Sequence, residues 1–256
     1  PRRPQPVAYH AFVDDRILAG IPHFGDVVSN AAFLVVGVLG LAFLASGRLR
    51  AAFDRGWQAR PYLVFFASLV LVAVGSAVYH WEPNDGTLFW DRAAMTLTFM
   101  SLASIVIADR VSARWGVTRG LPLLLGLGLA SAIAWRITGD VTYYFILAQV
   151  APLGSLVLTL FVLFRRGRIT DARFFVGLAG LYALAVIFEQ LDGTLWALTA
   201  GTISGHTLKH LAAASGVALM IPMLVRAAGR AAAERAAPRA DLEQEELTYL
   251  PRGASR

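Results

Sequence analysis

His206 and His210 stand four residues apart in SGHTLKH, where the last long apolar stretch of the chain begins. On a helix that spacing puts both rings on one face. His80 closes an earlier apolar stretch, in GSAVYHW. Neutral imidazole is the commonest protein ligand for zinc, and a catalytic zinc typically takes three protein ligands and keeps a fourth position for water. Three of the five histidines thus form a candidate metal set, and the chemistry they would support is hydrolysis. Ser76 lies one helical turn before His80, and Asp91 opens the next apolar stretch. Each residue alone also has a plainer reading. A single interfacial histidine is more often hydrogen-bonded than a ligand, and H-x₃-H also serves haem. Asp91 could pair with Arg92, and Ser76 could be a small packing residue.

The elements that must position these residues are apolar and long. Of 256 residues 57% are hydrophobic and 16% charged, with a mean hydropathy of +0.58, whereas a soluble domain carries roughly 25% charged residues. The composition is that of a polytopic membrane protein. A hydrocarbon core needs about 20 apolar residues per helix. Seven segments qualify, at 27–47, 61–80, 88–108, 118–136, 141–164, 173–190 and 206–225. Cysteine is absent, which excludes disulfides, Fe–S clusters and cysteine-bound zinc. A metal must be held by histidine and carboxylate. The net charge of +6 comes almost entirely from arginine clustered between apolar segments, not from one amphipathic face, so nucleic acid is a poor partner.

The arginines set the orientation. Arg48, Arg50, Arg55 and Arg60 follow the first segment; Arg110, Arg114 and Arg119 follow the third. Arg165, Arg166, Arg168 and Arg173 follow the fifth, and Arg226, Arg230, Arg235 and Arg239 the seventh. Positive loops stay in the cytoplasm. The pattern predicts an all-α bundle of seven transmembrane helices, N-terminus out and C-terminus cytoplasmic. Residues 1–26 would be a polar non-cytoplasmic segment with no signal peptide ahead of the first helix, 27–226 the membrane domain, and 227–256 a tail that is a short helix extension or disordered. Ser76, His80, Asp91, His206 and His210 then share one depth near the outer face, and ionisable groups in membrane segments are usually functional. Glu189, Gln190 and Asp192 end the sixth segment at that level. They read as a solvated helix end or as partners of Arg92 or Arg136. Lys209, the one lysine, sits too near a helix start for a retinal Schiff base at mid-membrane.

These residues resemble the alkaline ceramidase family, part of a superfamily that includes the progestin and adipoQ receptors. The pattern is Ser76-Ala-Val-Tyr-His80, then Asp91, then His206-Thr-Leu-Lys-His210, with Ser29-Asn30 at the mouth of the first helix. It covers roughly 8–226, and the N-out orientation is similar to the ceramidase branch, in a bacterial-type member. The resemblance implies zinc on His80, His206 and His210, with Asp91 hydrogen-bonding the zinc water and Ser76 beside the reacting carbonyl. It implies hydrolysis of the N-acyl bond of ceramide or another N-acyl lipid to a fatty acid and a sphingoid-type amine. In a bacterium the site would face outward from the plasma or inner membrane. A second, calcium site in the family draws on acidic N-terminal residues. Asp14, Asp15 and Asp26 are the candidates here, but Arg16 and His23 stand where further oxygen ligands are expected, which argues against calcium. A seven-helix receptor with structural zinc and a di-histidine haem electron carrier are the alternatives.

Overall fold

The computed structural model describes residues 2–151, 154 and 167–236. All regular elements among them are helical: α1 (Phe24–Val28), α2 (Ala31–Ala45), α3 (Arg60–Trp81), α4 (Asp85–Arg110), α5 (Ala113–Trp115), α6 (Leu121–Thr138), α7 (Val141–Tyr144), α8 (Ala172–Gln190), α9 (Asp192–Leu198), α10 (Gly205–Ala218) and α11 (Met220–Ala236), with short 3₁₀ and π turns between some of them. Among the described residues six stretches are long and apolar enough to cross a membrane: Phe24–Ala45, Gly56–Trp81, Asp85–Arg110, Ala113–Thr138, Ala172–Gln190 and Gly205–Arg235. The fifth expected segment, 141–164, begins as α7 and a π turn, Phe145–Val150; most of its remainder lies outside the described residues.

The outward faces explain this class of fold. On α2, Leu34, Val35, Val38 and Leu39 are exposed while Phe33 and Val36 are buried. A helix apolar on every side is buried in protein or in lipid, and these exposed faces suit lipid. α2 packs on α3, α3 on α4, α4 on α6 and α8 on α10, and α10 returns to α2. The main core lies inside this arrangement, around Phe65, Phe66, Leu69, Phe175 and Met223.

Local sequence sets where each helix starts. Asn84 caps α4, accepting from the Gly86 and Thr87 amides at 2.8 and 3.1 Å, and this helix therefore begins three residues earlier than the apolar pattern predicts. Ser204 caps α10 by accepting from the Thr207 amide at 2.9 Å. Pro222 has no amide hydrogen to donate back along the helix, and the last span is interrupted at Leu219, between α10 and α11. The expected tail from 227 is helical to Ala236; 237–256 lie outside the described residues.

The arginine-rich connections meet at one end. Arg168 pairs with Asp54, Arg230 donates to the Arg168 carbonyl, and Arg235 donates to the Ala51 carbonyl. The 22 residues of α3 carry the chain about 33 Å to the other end. There residues 2–23 form a cover: the Val141 amide donates to the Arg3 carbonyl, and Tyr79 donates to the Tyr9 carbonyl.

Candidate metal centre

Two helices deliver the histidines to the covered end. His80 comes from the last turn of α3, and His206 and His210 from the first two turns of α10. Two close approaches make this possible. A side chain at Gly75 would meet the Trp90 carbonyl at 2.9 Å, so α3 and α4 touch backbone to backbone just below the site. A side chain at Gly205 would meet the Phe188 carbonyl, so α10 starts hard against the end of α8.

The three rings are buried and mutually packed, with centroids 4.7, 5.0 and 4.8 Å apart. One nitrogen from each lies within 4.8 Å of the other two. His80 Nε2 and His206 Nε2 are 3.2 Å apart, close to the roughly 3.3 Å that separates two nitrogens bound tetrahedrally at about 2.0 Å from zinc. His210 Nδ1 lies 2.8 Å from Ser29 Oγ, and Ser29 donates its own hydrogen to the Asp26 carbonyl. With that hydrogen on the Asp26 carbonyl, Ser29 accepts from His210 Nδ1–H, the tautomer that leaves the Nε2 lone pair free for a metal. His80 Nδ1 is buried without a hydrogen-bond partner. A donor set of neutral imidazoles suits zinc.

Asp91 lies outside that ligand group but lines the same cavity, as does Ser76. The cavity holds ≈ 570 Å³, within the range of small-molecule sites. Its polar end carries the histidines, Ser76, Asp91 and Arg92. Lys209, Glu189 and Asp192 also line it, and the rest of the wall is mostly apolar, with Phe65, Leu69, Val72, Leu102 and Val217. The structure thus gathers all five expected site residues around one space.

The acidic N-terminal candidates are not gathered in that way. Asp14 is held by Arg16 through two contacts of 2.7 Å and by the Gly25 amide at 2.9 Å. Burial pushes the Asp14 carboxyl up, but the Arg16 side chain and the Gly25 and Arg16 amides outweigh it and hold the group below its ordinary value. Asp15 is exposed. Asp26 Oδ1 accepts from Ser204 and Thr207 at 2.7 and 2.8 Å. Among the described residues these three aspartates form no metal-binding group, and the Arg16 guanidinium supplies the positive charge beside Asp14.

Other partners differ from the plain sequence reading. Glu189 pairs with Lys209 at 2.7 Å, not with Arg92 or Arg136. Asp192 accepts from the His206 amide at 2.9 Å and so fixes the start of α10. No carboxylate among the described residues pairs with Arg92. Phe12 of the cover lies 4.5 Å from the His80 ring and 5.3 Å from the His206 ring. No pattern in the polar N-terminal segment marks Phe12; its role follows from the path of the chain over the site.

The fold and site define a multi-span helical protein with three histidines converging at one end of an apolar cavity. Comparison with protein-family models, characterised proteins and solved structures finds no match.

Proposed function

We propose that the chain is a zinc-dependent intramembrane amide hydrolase that cleaves the N-acyl bond of ceramide-like lipids to a fatty acid and a sphingoid-type amine. The observation that carries this reading is the convergence of three imidazoles in a largely apolar cavity that a carboxylate and a hydroxyl, Asp91 and Ser76, also line. Zinc held by His80, His206 and His210 would supply a nucleophilic hydroxide near neutral pH and polarise the carbonyl. Asp91 takes the proton of the attacking water and delivers it to the amine nitrogen as the C–N bond breaks. Ser76 offers its hydroxyl to the carbonyl oxygen as that atom gains charge. The apolar wall receives the acyl chain, and Phe12 keeps bulk water off the rings. The arginine loops support a cytoplasmic far end and a site near the non-cytoplasmic face.

The mutual packing of the three rings favours one ion over a haem macrocycle, which would need imidazoles on opposite faces. Purified protein should contain one zinc per chain, show no haem absorbance, and release fatty acid from ceramide or another N-acyl lipid. A haem spectrum would replace this reading with an electron carrier. Bound zinc with every function intact in Asp91→Asn and Ser76→Ala would replace it with a receptor holding structural zinc.

A further inference from the structure

Arg92 is 2% exposed and sits on the cavity wall, one residue from Asp91. Successive residues on a helix point about 100° apart. Asp91 and Arg92 therefore serve different parts of the same space. The guanidinium is ringed by aromatic faces: Trp135 at 4.3 Å, Tyr144 at 4.6 Å and Tyr9 at 5.5 Å. Nη2 donates to Gln5 Oε1 at 2.7 Å. Nη1 is buried with no hydrogen-bond partner, and among the described residues no carboxylate lies within ion-pairing distance.

Arginine is always charged, and its planar donor fork matches carboxylate and phosphate. A buried charge held only by rings and one neutral amide, with a donor left over, is a costly arrangement unless something else completes it. We propose that Arg92 binds an oxyanion of the substrate, and that this lipid carries a carboxylate or phosphate on the amine half, next to the scissile amide. The assignment to that half rests on the hydrolase reading. With the carbonyl at the histidines and the acyl chain along Phe65, Leu69 and Val72, the remaining substituent points toward Arg92, under Gln5 and Tyr9 of the cover.

Binding tests the subsite without any turnover. Zinc-free full-length protein in micelles is titrated with dodecyl phosphate, laurate and dodecanol. At least one of the two anions should bind about tenfold tighter than dodecanol, and which one does so separates phosphate from carboxylate. Arg92→Gln should erase the preference, and Arg92→Lys should keep part of it. Equal affinity for all three probes overturns the proposal, and so does a preference that survives Arg92→Gln. If Arg92→Gln does not fold, Arg92→Lys decides. Its planar fork is gone, so an anion preference undiminished from wild type contradicts the proposal.

Turnover then narrows the substrate. Zinc-loaded protein is compared on N-palmitoylglycine against N-palmitoylethanolamine, and on ceramide 1-phosphate against ceramide. The anionic member of one pair should have the lower KM, and Arg92→Gln should raise that KM about tenfold or more while changing kcat little. Anion binding without hydrolysis of any amide leaves the subsite standing and removes the hydrolase. Hydrolysis with no anionic preference does the reverse.

Discussion

The two ends of the bundle handle polar groups in opposite ways. At the arginine end most are paired, the buried Tyr62 hydroxyl being an exception. The Asp109 carboxylate accepts from the Ile169 amide and from the amide and hydroxyl of Thr170. Arg110 donates to Thr170, Arg173 pairs with Asp171, and Arg168 with Asp54. At the histidine end Asp26, Asn30, His80 and Arg92 each keep a buried atom without a partner. Native proteins leave few such atoms, and each calls for an explanation. One end spends its polar groups on holding loops together. The other keeps donors and acceptors in reserve for an ion and a ligand.

Variants on either side can break this contrast. Outside the three histidines the largest effect is expected from Asp91→Asn, which should lower kcat for amide hydrolysis about 10²–10⁴-fold while zinc content by metal analysis stays at one per chain. Loss of zinc instead would make Asp91 a ligand and blur its distinction from the histidines. Next is Ser29→Ala. It removes the partner of His210 Nδ1 and should weaken zinc about 10–100-fold in a chelator competition, a larger effect on the metal than the modest fall in Tm expected from the buried imidazole N–H it leaves unpaired. Asp109→Ala, at the arginine end, should behave the other way round. It strands the Ile169 and Thr170 amides, costs about 1–3 kcal/mol of stability and lowers Tm, with zinc affinity unchanged. An equal loss of zinc affinity would mean the two ends are not separable.

The smallest effect concerns pH. Because the Asp14 carboxyl is held below its unfolded value of 3.8, it releases its proton more readily in the folded chain. Its stabilising contribution is full above that value and is lost as pH falls through the lower folded one. Asp14→Asn should flatten the acid limb of a Tm–pH curve and leave the neutral limb parallel to wild type. A change confined to neutral pH would contradict the Arg16 pairing.

Part of this was legible in the chain. Spacing alone put His206 beside His210 and Ser76 beside His80, and the arginine pattern put Asp91 at their level. Hydropathy marked six of the seven expected spans among the described residues, because a long apolar run has few other uses. Helix rotation was harder to read. α2 and α3 are apolar on faces that turn inward and on faces that turn to lipid, so periodicity does not say which side meets a neighbour. For that reason the Lys209–Glu189 pair, the Asp192 contact with the His206 amide and the aromatic ring around Arg92 are visible only once the helices are packed. The cover was harder still, since Phe12 lies in a polar segment without a repeating pattern.

The contrast between the ends rests on the histidine cluster, and one measurement addresses it most directly. Full-length protein purified without added metal is analysed for zinc and assayed for fatty acid release from N-acyl lipids, alongside His80→Ala. The account predicts one zinc per chain and measurable release in the wild type, and neither in the variant. Wild-type protein that neither carries zinc nor takes it up when supplied, or a His80→Ala variant that keeps both zinc and activity, would contradict it.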